Sequence, residues 1–318
     1  MALCSGWLLA ACSPSTTPDA RSTSGVASTP PVAGSSLATA APATAAPATP
    51  GPLRSCPPPV TLADLTPLDR LPYDLDDVTV DAGGDLWFTA VNAGFVFEDD
   101  ARGHRLRVIT DTNGPEGIVP LPGEAFALAE QTANRVVRLE PALDVRTPLL
   151  AVPNRTPNEG VDGLAFDTAR SRLLVPDSAN GRLLALPVTP AGAAAGPVQV
   201  LATGLGRPVA AWPEADGGVD VGVENPPGLL RLPAGGGTAR ALVPSGVLKQ
   251  VDEVVGVGGL LYVTDLQRRE LDAVDPGSGR VVPLVTGAPD PQGLTLLPGG
   301  RLLLVDSSAG VLATVSPC

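Results

Sequence analysis

A repeat of 40 to 46 residues occupies most of this chain and limits the folds that it can adopt. Each repeat begins with a polar residue followed by a short apolar strand pattern. The six starts are Asp76, Glu116, Asp162, Arg207, Asp252 and Gln292. A period in the forties with several short strands per unit is typical of a β-propeller. The sequence therefore predicts an all-β fold, a propeller of six four-stranded antiparallel blades.

The strand pattern within each unit supports this prediction. In the sixth unit, a short strand begins at Gln292, a Pro298–Gly300 turn follows, and a second apolar strand covers Arg301–Asp306. Glycine gives the backbone freedom that such hairpin turns require. Further strands are expected at Arg105–Thr110, Arg135–Leu139, Gly181–Leu186, Val198–Ala202 and Arg280–Val285. No stretch has sustained helical periodicity, so no helix is needed.

The sixth unit is too short to form a whole blade, because only 26 residues follow Gln292. The missing outer strand must come from elsewhere, and Val60–Leu65, upstream of the first unit, is the available segment. An N-terminal strand that completes the last blade would close the ring. The propeller domain is therefore expected to span residues 56–318.

The cysteines agree with this closure. Of the four in the chain, Cys56 and Cys318 lie at the first and last positions of the expected domain. The two ends of a closed ring lie side by side, and disulfides persist in exported proteins. We therefore predict a Cys56–Cys318 disulfide.

The N-terminus resembles a bacterial lipoprotein signal. Residues 1–12 form a short apolar run that ends in Leu9-Ala10-Ala11-Cys12, which matches the lipobox. The resemblance implies that Cys12 is lipidated and that the protein is exported and anchored at the bacterial cell envelope. Because the usual basic segment is missing, we expect the true start codon to lie upstream. Residues 13–55 are rich in Ala, Pro, Ser and Thr and are expected to form a disordered tether.

Charge and histidine content exclude several classes of function. The formal charge is −12, and no basic patch is visible, so nucleic acid is not an expected partner. An acidic protein is better suited to cations or to neutral or basic ligands. The only histidine, His104, lies in a predicted hairpin tip, so a Ser-His-Asp triad would have to use it.

Acidic residues recur at two places in the repeat, and we interpret them differently. One set follows the second strand and is expected to accept backbone hydrogen bonds in the next turn. Its members are Glu130, Asp177, Glu224, Asp265 and Asp306. The other set is the six repeat starts, which should converge on the mouth of the central channel. Its four carboxylates without histidine favour Ca²⁺ or Mg²⁺, although the same groups could instead frame a water-filled channel.

Local sequence also resembles the SMP-30/gluconolactonase family and the related NHL-repeat propellers. The resemblance rests on Val161–Asp167, on Arg172–Val175 with Asp177–Arg182, and on the Pro-x-Gly starts at Pro115 and Pro291. It implies a divalent cation, Ca²⁺ or another ion, and hydrolysis of a small lactone or ester. The best matches to the family's metal ligands are Glu116 and Asp162, with Asp252 as a further ligand, and Asp162 or Asp252 would be the general base. Asp76 is a further candidate ligand because it belongs to the same ring of carboxylates.

A second function stays open at this point. NHL-like propellers bind without catalysis, and Arg207 and Gln292 in the ring of polar starts favour this alternative. The top face would then hold a small ligand, a glycan or an envelope protein. In both cases we expect a monomer that needs no organic cofactor and that reaches the membrane only through Cys12.

Overall fold

The computed structural model describes Leu53 and residues 56–153 and 160–318. Over these residues the chain forms 25 strands and two short 3₁₀ turns, Leu62–Asp64 and Ser178–Asn180. The strands are β1 (Val60–Thr61), β2 (Pro67–Arg70), β3 (Val78–Val80), β4 (Leu86–Ala90), β5 (Phe95–Asp99), β6 (Arg105–Thr110), β7 (Pro115–Leu121), β8 (Ala125–Glu130), β9 (Arg135–Glu140), β10 (Val145–Ala151), β11 (Ala165–Asp167), β12 (Arg172–Asp177), β13 (Arg182–Pro187), β14 (Gln199–Thr203), β15 (Arg207–Pro213), β16 (Val219–Asn225), β17 (Gly228–Leu232), β18 (Arg240–Ala241), β19 (Val251–Val257), β20 (Leu260–Asp265), β21 (Glu270–Asp275), β22 (Arg280–Thr286), β23 (Pro291–Leu296), β24 (Leu302–Asp306) and β25 (Val311–Val315). Within these ranges, no helix has the length and apolar character needed to cross a bilayer.

The strands form six sheets, which are the blades of a propeller. Blades 1 to 4 hold β3–β6, β7–β10, β11–β14 and β15–β18, in order from the inner to the outer strand. Blade 5 holds β19–β22, and blade 6 holds β23–β25 with β2 at its outer edge. The structure thus confirms an all-β propeller of six four-stranded antiparallel blades whose last blade is completed by an N-terminal strand.

The segment that completes the last blade differs from the one predicted. Pro67–Arg70, and not Val60–Leu65, pairs antiparallel with β25, and Arg70 lies opposite Val311. Val60–Thr61 instead runs parallel to β22 and adds a fifth strand to blade 5. The Asp64 carboxylate accepts hydrogen bonds from the Thr61 amide (3.1 Å) and hydroxyl (2.7 Å), which turns the chain and ends the first strand.

A disulfide joins the two ends of the domain. Cys56 is bonded to Cys318 across 262 residues of sequence, as predicted. The Cys318 amide also donates a hydrogen bond to the hydroxyl of Tyr262, which is almost fully buried (3.1 Å). Both half-cystines pack against the apolar cluster between blades 5 and 6. The covalent bond therefore holds the ring closed where the N-terminal segment meets the last blade.

The hydrophobic core lies between neighbouring blades. Second strands such as β8 and β20 are buried along their whole length, because both of their faces contact another blade. Trp87 of blade 1, for example, packs against Phe126 of blade 2 with ring centroids 4.6 Å apart. Burial of apolar area at about 25 cal/mol per Å² stabilises each of these blade interfaces. The packed blades hold the six inner strands around a central channel.

Candidate functional site: the carboxylates of the central channel

Three of the six repeat starts line a small void at one end of the channel. Asp76, Asp162 and Asp252 surround it, and Asp77 and Glu253 lie one residue further along their strands. The void has a volume of about 10 Å³, which is room for about one water molecule. This end of the channel, where the inner strands begin, is called the channel mouth below.

Glycine allows the inner strands to approach one another at the mouth. A Cβ added to Gly117 would lie 2.5 Å from the Asp162 carbonyl oxygen, and one added to Gly293 would lie 2.5 Å from the Asp76 carbonyl oxygen. Neither position has room for a side chain. The corresponding positions of blades 1 and 5 carry Asp77 and Glu253, which place two more carboxylates in the channel.

Arg207 is the one cationic side chain among the six repeat starts, and it is already paired. Its Nη2 lies 3.1 Å from Asp162 Oδ2, and its Nη1 contacts the Glu224 carboxylate. Gln250 Nε2 donates a further hydrogen bond to Glu224 Oε1 (2.9 Å). The guanidinium therefore neutralises charge on the side of blades 3 and 4 only.

The carboxylates on the other side of the mouth differ in their hydrogen bonding. Both oxygens of Asp77 accept backbone amides, those of Val78 and Ile118, each at 2.7 Å. Glu116 Oε1 accepts a hydrogen bond from Gln131 Nε2 (2.6 Å), whereas Glu116 Oε2 is buried without a partner. A buried carboxylate oxygen without a donor is energetically costly unless a proton or a cation meets it.

Burial and mutual repulsion raise the pKa of these carboxyl groups. Burial raises the pKa of Asp77 to about 7, against the two amides that lower it. Burial also raises the pKa of Asp162 to about 6, although Arg207 opposes the shift. Burial first, and then neighbouring carboxylates, raise the pKa well above its usual value in four further groups: Asp76, Glu116, Asp252 and Glu253. Near neutral pH the mouth therefore holds protons that a cation could replace.

The mouth does not form a compact metal cage. Across the described ranges, the only three acidic groups whose oxygens lie within 4.8 Å of one another are Asp81, Asp85 and Glu98, in blade 1. The predicted ligands Asp76, Glu116, Asp162 and Asp252 share the mouth without converging to that extent. They could hold a cation that keeps part of its water shell, as Ca²⁺ and Mg²⁺ often do.

The blade 1 cluster, which the repeat pattern does not indicate, could also bind a metal ion. Asp81 Oδ1 accepts the amides of Gly83 (2.8 Å) and Asp85 (3.0 Å), and Glu98 pairs with Arg107 (2.9 Å). These contacts account for the close approach of the carboxylates without a bound ion. The Asp-x-x-x-Asp spacing around the hairpin turn was the available signal, but Glu98 comes from the next strand.

The acidic residues that follow the second strands have mostly structural contacts. Asp265 accepts the Arg268 amide (3.1 Å), and Asp306 accepts the Ala309 amide (2.9 Å), both in the turn that follows, as expected. Asp177 and Glu130 instead pair with an arginine that starts the third strand, Arg182 and Arg135 respectively. Glu224 is the exception, because it pairs with Arg207 and so belongs to the channel mouth.

The remaining predicted residues lie outside the carboxylate cluster or outside the described part of the chain. Gln292 Nε2 donates to Asp290 Oδ1 (3.3 Å). His104 lies in the β5–β6 hairpin with its side chain 71% exposed and its Nδ1 2.9 Å from Asp100 Oδ2. The lipobox with Cys12 and nearly all of the predicted tether fall outside the described residues.

This geometry defines a six-bladed propeller with an acidic channel mouth, and solved structures share its fold. No family model and no curated protein matches the chain. Virginiamycin B lyase from Staphylococcus aureus matches with a TM-score of 0.59 and 16% identity, over 78% of this chain and 83% of that one. A calcium-binding protein, regucalcin, from Agrobacterium tumefaciens strain C58 matches with a TM-score of 0.66 and 14% identity, over 79% of this chain and 92% of that one.

At these identities the likeness concerns the fold alone. The two proteins also differ from each other in what they do, since one is a lyase and the other a calcium-binding protein. A histidine-to-alanine variant of the lyase is described as catalytically inactive and was solved with quinupristin. The fold by itself therefore does not select a function for this chain.

Proposed function

We propose that this protein is an exported, lipid-anchored propeller that binds a small cationic ligand at its channel mouth without catalysing a reaction. The observation that carries the proposal is the charge imbalance of the mouth. Six carboxyl groups lie in or beside it, and Arg207, the one cation among the repeat starts, is paired with Asp162 and Glu224. Besides Glu224, these carboxyl groups are Asp76, Asp77, Glu116, Asp162, Asp252 and Glu253. An arriving cation would relieve their repulsion.

A divalent cation is the ligand that fits the donor set best. Asp76, Asp252 and the unpartnered Oε2 of Glu116 offer hard oxygen atoms, which suit Ca²⁺ or Mg²⁺. Asp162 is less available because Arg207 holds it. The match to the fold of a calcium-binding protein agrees with this choice.

Thermal unfolding with and without divalent cations tests the proposal. A ligand that binds only the folded state raises the melting temperature, and at 100 times Kd the gain is about 2.7 kcal/mol. We expect Ca²⁺, added after EDTA treatment, to raise the melting temperature. Asp252→Asn should abolish this rise, whereas Asp85→Asn, in the blade 1 cluster, should leave it intact. No rise with Ca²⁺, Mg²⁺ or Zn²⁺ would refute cation binding, and a rise lost only in Asp85→Asn would move the site to blade 1.

A metal-dependent hydrolase of small lactones or esters is the second candidate. It is favoured by Asp162, because a carboxyl group with a pKa of about 6 is well matched to general base catalysis near neutral pH. A bound cation would supply polarisation of the substrate carbonyl. Hydrolysis of a lactone panel that is lost in Asp162→Asn, with cation binding retained, would establish this function over the first. A histidine-dependent reaction has no support, because the only histidine is exposed in a hairpin.

Lipid anchoring at Cys12 is a separate part of the proposal. It rests on the Leu9–Cys12 motif. Metabolic labelling with palmitate in a bacterial host should mark the full chain and fail for Cys12→Ser. Equal labelling of both proteins, or labelling of neither, would contradict it.

A further inference from the structure

The channel continues beyond the carboxylates as a second chamber. This lower chamber is lined by the middle parts of all six inner strands and has a volume of about 210 Å³. Its side chains are largely apolar, with Phe166 and Trp212 as the two aromatic residues. It is therefore chemically unlike the mouth, although both belong to one channel.

Two carboxylates separate the chamber from the mouth. Asp77 and Glu253 line both spaces. A Cβ added to Gly163 would lie 3.5 Å from Glu253 Oε2, so the Glu253 side chain extends from blade 5 to the inner strand of blade 3. Gly163 itself is required by the Val209 carbonyl oxygen, which would lie 2.7 Å from an added Cβ.

Glu253 has capacity for a further donor. Its Oε1 accepts the Val254 amide (2.7 Å), and its Oε2 accepts no hydrogen bond from the described residues. Asp77 is different, because both of its oxygens accept amides.

The walls offer both hydrogen bonds and apolar contact. Each inner strand is the last strand of its sheet, so its inner edge presents unpaired backbone groups to the channel. Trp212 packs over Gly256, where a Cβ would collide with the indole ring. The partly exposed Trp212 ring therefore offers apolar contact to a chain whose charged end lies at Glu253.

We propose that the lower chamber binds a primary ammonium group carried on an unbranched chain, with the ammonium at Glu253 and the chain along Trp212 and the apolar wall. An ammonium has three donors, which suit the free Glu253 oxygen and carbonyl oxygens of the strand edges. The apolar chain would displace water from Val119, Phe166 and Trp212, whose side chains are partly exposed. A divalent ion would pair with the Glu253 carboxylate but would make no apolar contact with the chamber wall.

Calorimetric titration of the full chain with n-hexylamine tests this site, with 1-hexanol as the neutral probe of the same length. We expect hexylammonium to bind at least about ten times more tightly than hexanol, a difference of about 1.4 kcal/mol. Equal affinity for the two probes, or no binding of hexylamine, would overturn the proposal.

Variants connect the affinity to the residues. Glu253→Gln should weaken hexylammonium at least about tenfold without affecting hexanol, and Trp212→Leu should weaken both probes. Glu140→Gln, the matched substitution in blade 2, should change neither. If Glu253→Gln does not fold, Trp212→Leu still decides, because unchanged affinity in that variant would exclude the chamber.

Two sources of the ammonium group are distinguished by peptides. An alanine tetrapeptide amide with a free amino terminus should bind if the natural ligand is a peptide end, and its acetylated form should not. Binding of hexylamine without binding of the peptide would assign the site to free alkylamines. These titrations contain no divalent cation, so their outcome can be told apart from cation binding at the mouth, although Glu253 borders both spaces.

Discussion

At the scale of single residues, Arg207 decides what the channel mouth can bind. It occupies a position where four of the other five repeat starts carry a carboxylate, and it bridges Asp162 and Glu224. Its guanidinium thus serves as a built-in cation for one half of the ring. The other half, around Asp76, Glu116 and Asp252, has no such cation, so its carboxyl groups must take up protons or bind an external cation.

Replacing Arg207 removes a cation from the mouth, and an added metal ion should then compensate for its loss. We expect Arg207→Gln to lower the free energy of unfolding by about 3 kcal/mol at pH 7, because two largely buried carboxylates lose their partner. Added Ca²⁺ should stabilise Arg207→Gln more than the unchanged protein. Chemical denaturation with and without Ca²⁺ measures both effects.

Arg301→Gln is the control, since this exposed arginine only donates to the Thr314 carbonyl. It should cost less than about 0.5 kcal/mol and leave the response to Ca²⁺ unchanged. If Arg207→Gln also changed neither the free energy of unfolding nor the response to Ca²⁺, the ion pairs of Arg207 would not stabilise the mouth.

The sequence could predict the repeat starts but not their partners. The position of Asp162 or Arg207 in its repeat places it at the mouth, because each inner strand begins there. The pairing of Arg207 with Glu224 joins a strand start to the end of the next strand, and the Asp81–Glu98 contact joins a turn to a third strand. Such contacts depend on side-chain length and direction, which the repeat pattern does not contain.

At the scale of strands, alternating patterns bounded by turns were sufficient to place most elements. The predicted Arg105–Thr110 strand is observed with the same bounds, and Arg280–Val285 is one residue longer. The closing strand was misplaced because Val60–Leu65 is the more apolar segment. The local hydrogen bonds of Thr61 and Asp64, together with the disulfide at Cys56, move the pairing to Pro67–Arg70.

Glycine after a repeat start sets how closely two blades approach. We expect Gly117→Ala to lower the free energy of unfolding by about 2 kcal/mol, because the new methyl group would meet the Asp162 carbonyl oxygen at 2.5 Å and blades 2 and 3 would have to separate. The same movement displaces Asp162, so the response to Ca²⁺ should also weaken. Chemical denaturation and the Ca²⁺ titration measure the two effects.

Gly228→Ala provides the comparison within a strand. A Cβ at Gly228 has only Leu230 Cδ2 within 4 Å, at 3.9 Å, so this substitution should be close to neutral. Equal stability of the two variants would show that the inner strands can separate at little cost, and would remove the packing argument for the mouth.

At the scale of the whole molecule, the count of units and the placement of two cysteines were enough to predict a closed ring. A six-unit repeat with an incomplete last unit requires an N-terminal strand, and the bond between Cys56 and Cys318 joins the same two ends. The two-part channel could not be predicted in this way. It depends on Glu253 crossing to the inner strand of blade 3, a contact between blades that are not neighbours.

The pH dependence of stability is a property of the whole channel, and its sign follows from the raised pKa values. In the folded protein the pKa is about 6 for Asp162 and about 7 for Asp77, whereas an aspartate has a pKa of 3.8 in the unfolded chain. Between pH 4 and 7 the folded state therefore binds protons that the unfolded chain releases. The free energy of unfolding should therefore fall as pH rises through this range. We expect the melting temperature to be at least about 5 °C higher at pH 5 than at pH 7.5.

Two controls connect this difference to the channel. Asp252→Asn should reduce the difference in melting temperature. Saturating Ca²⁺ at pH 7.5 should restore most of the melting temperature seen at pH 5, since cations and protons compensate the same charge. A melting temperature that rises from pH 5 to pH 7.5 would mean that the channel carboxylates are not held in repulsion, and cation binding at the mouth would lose its physical basis.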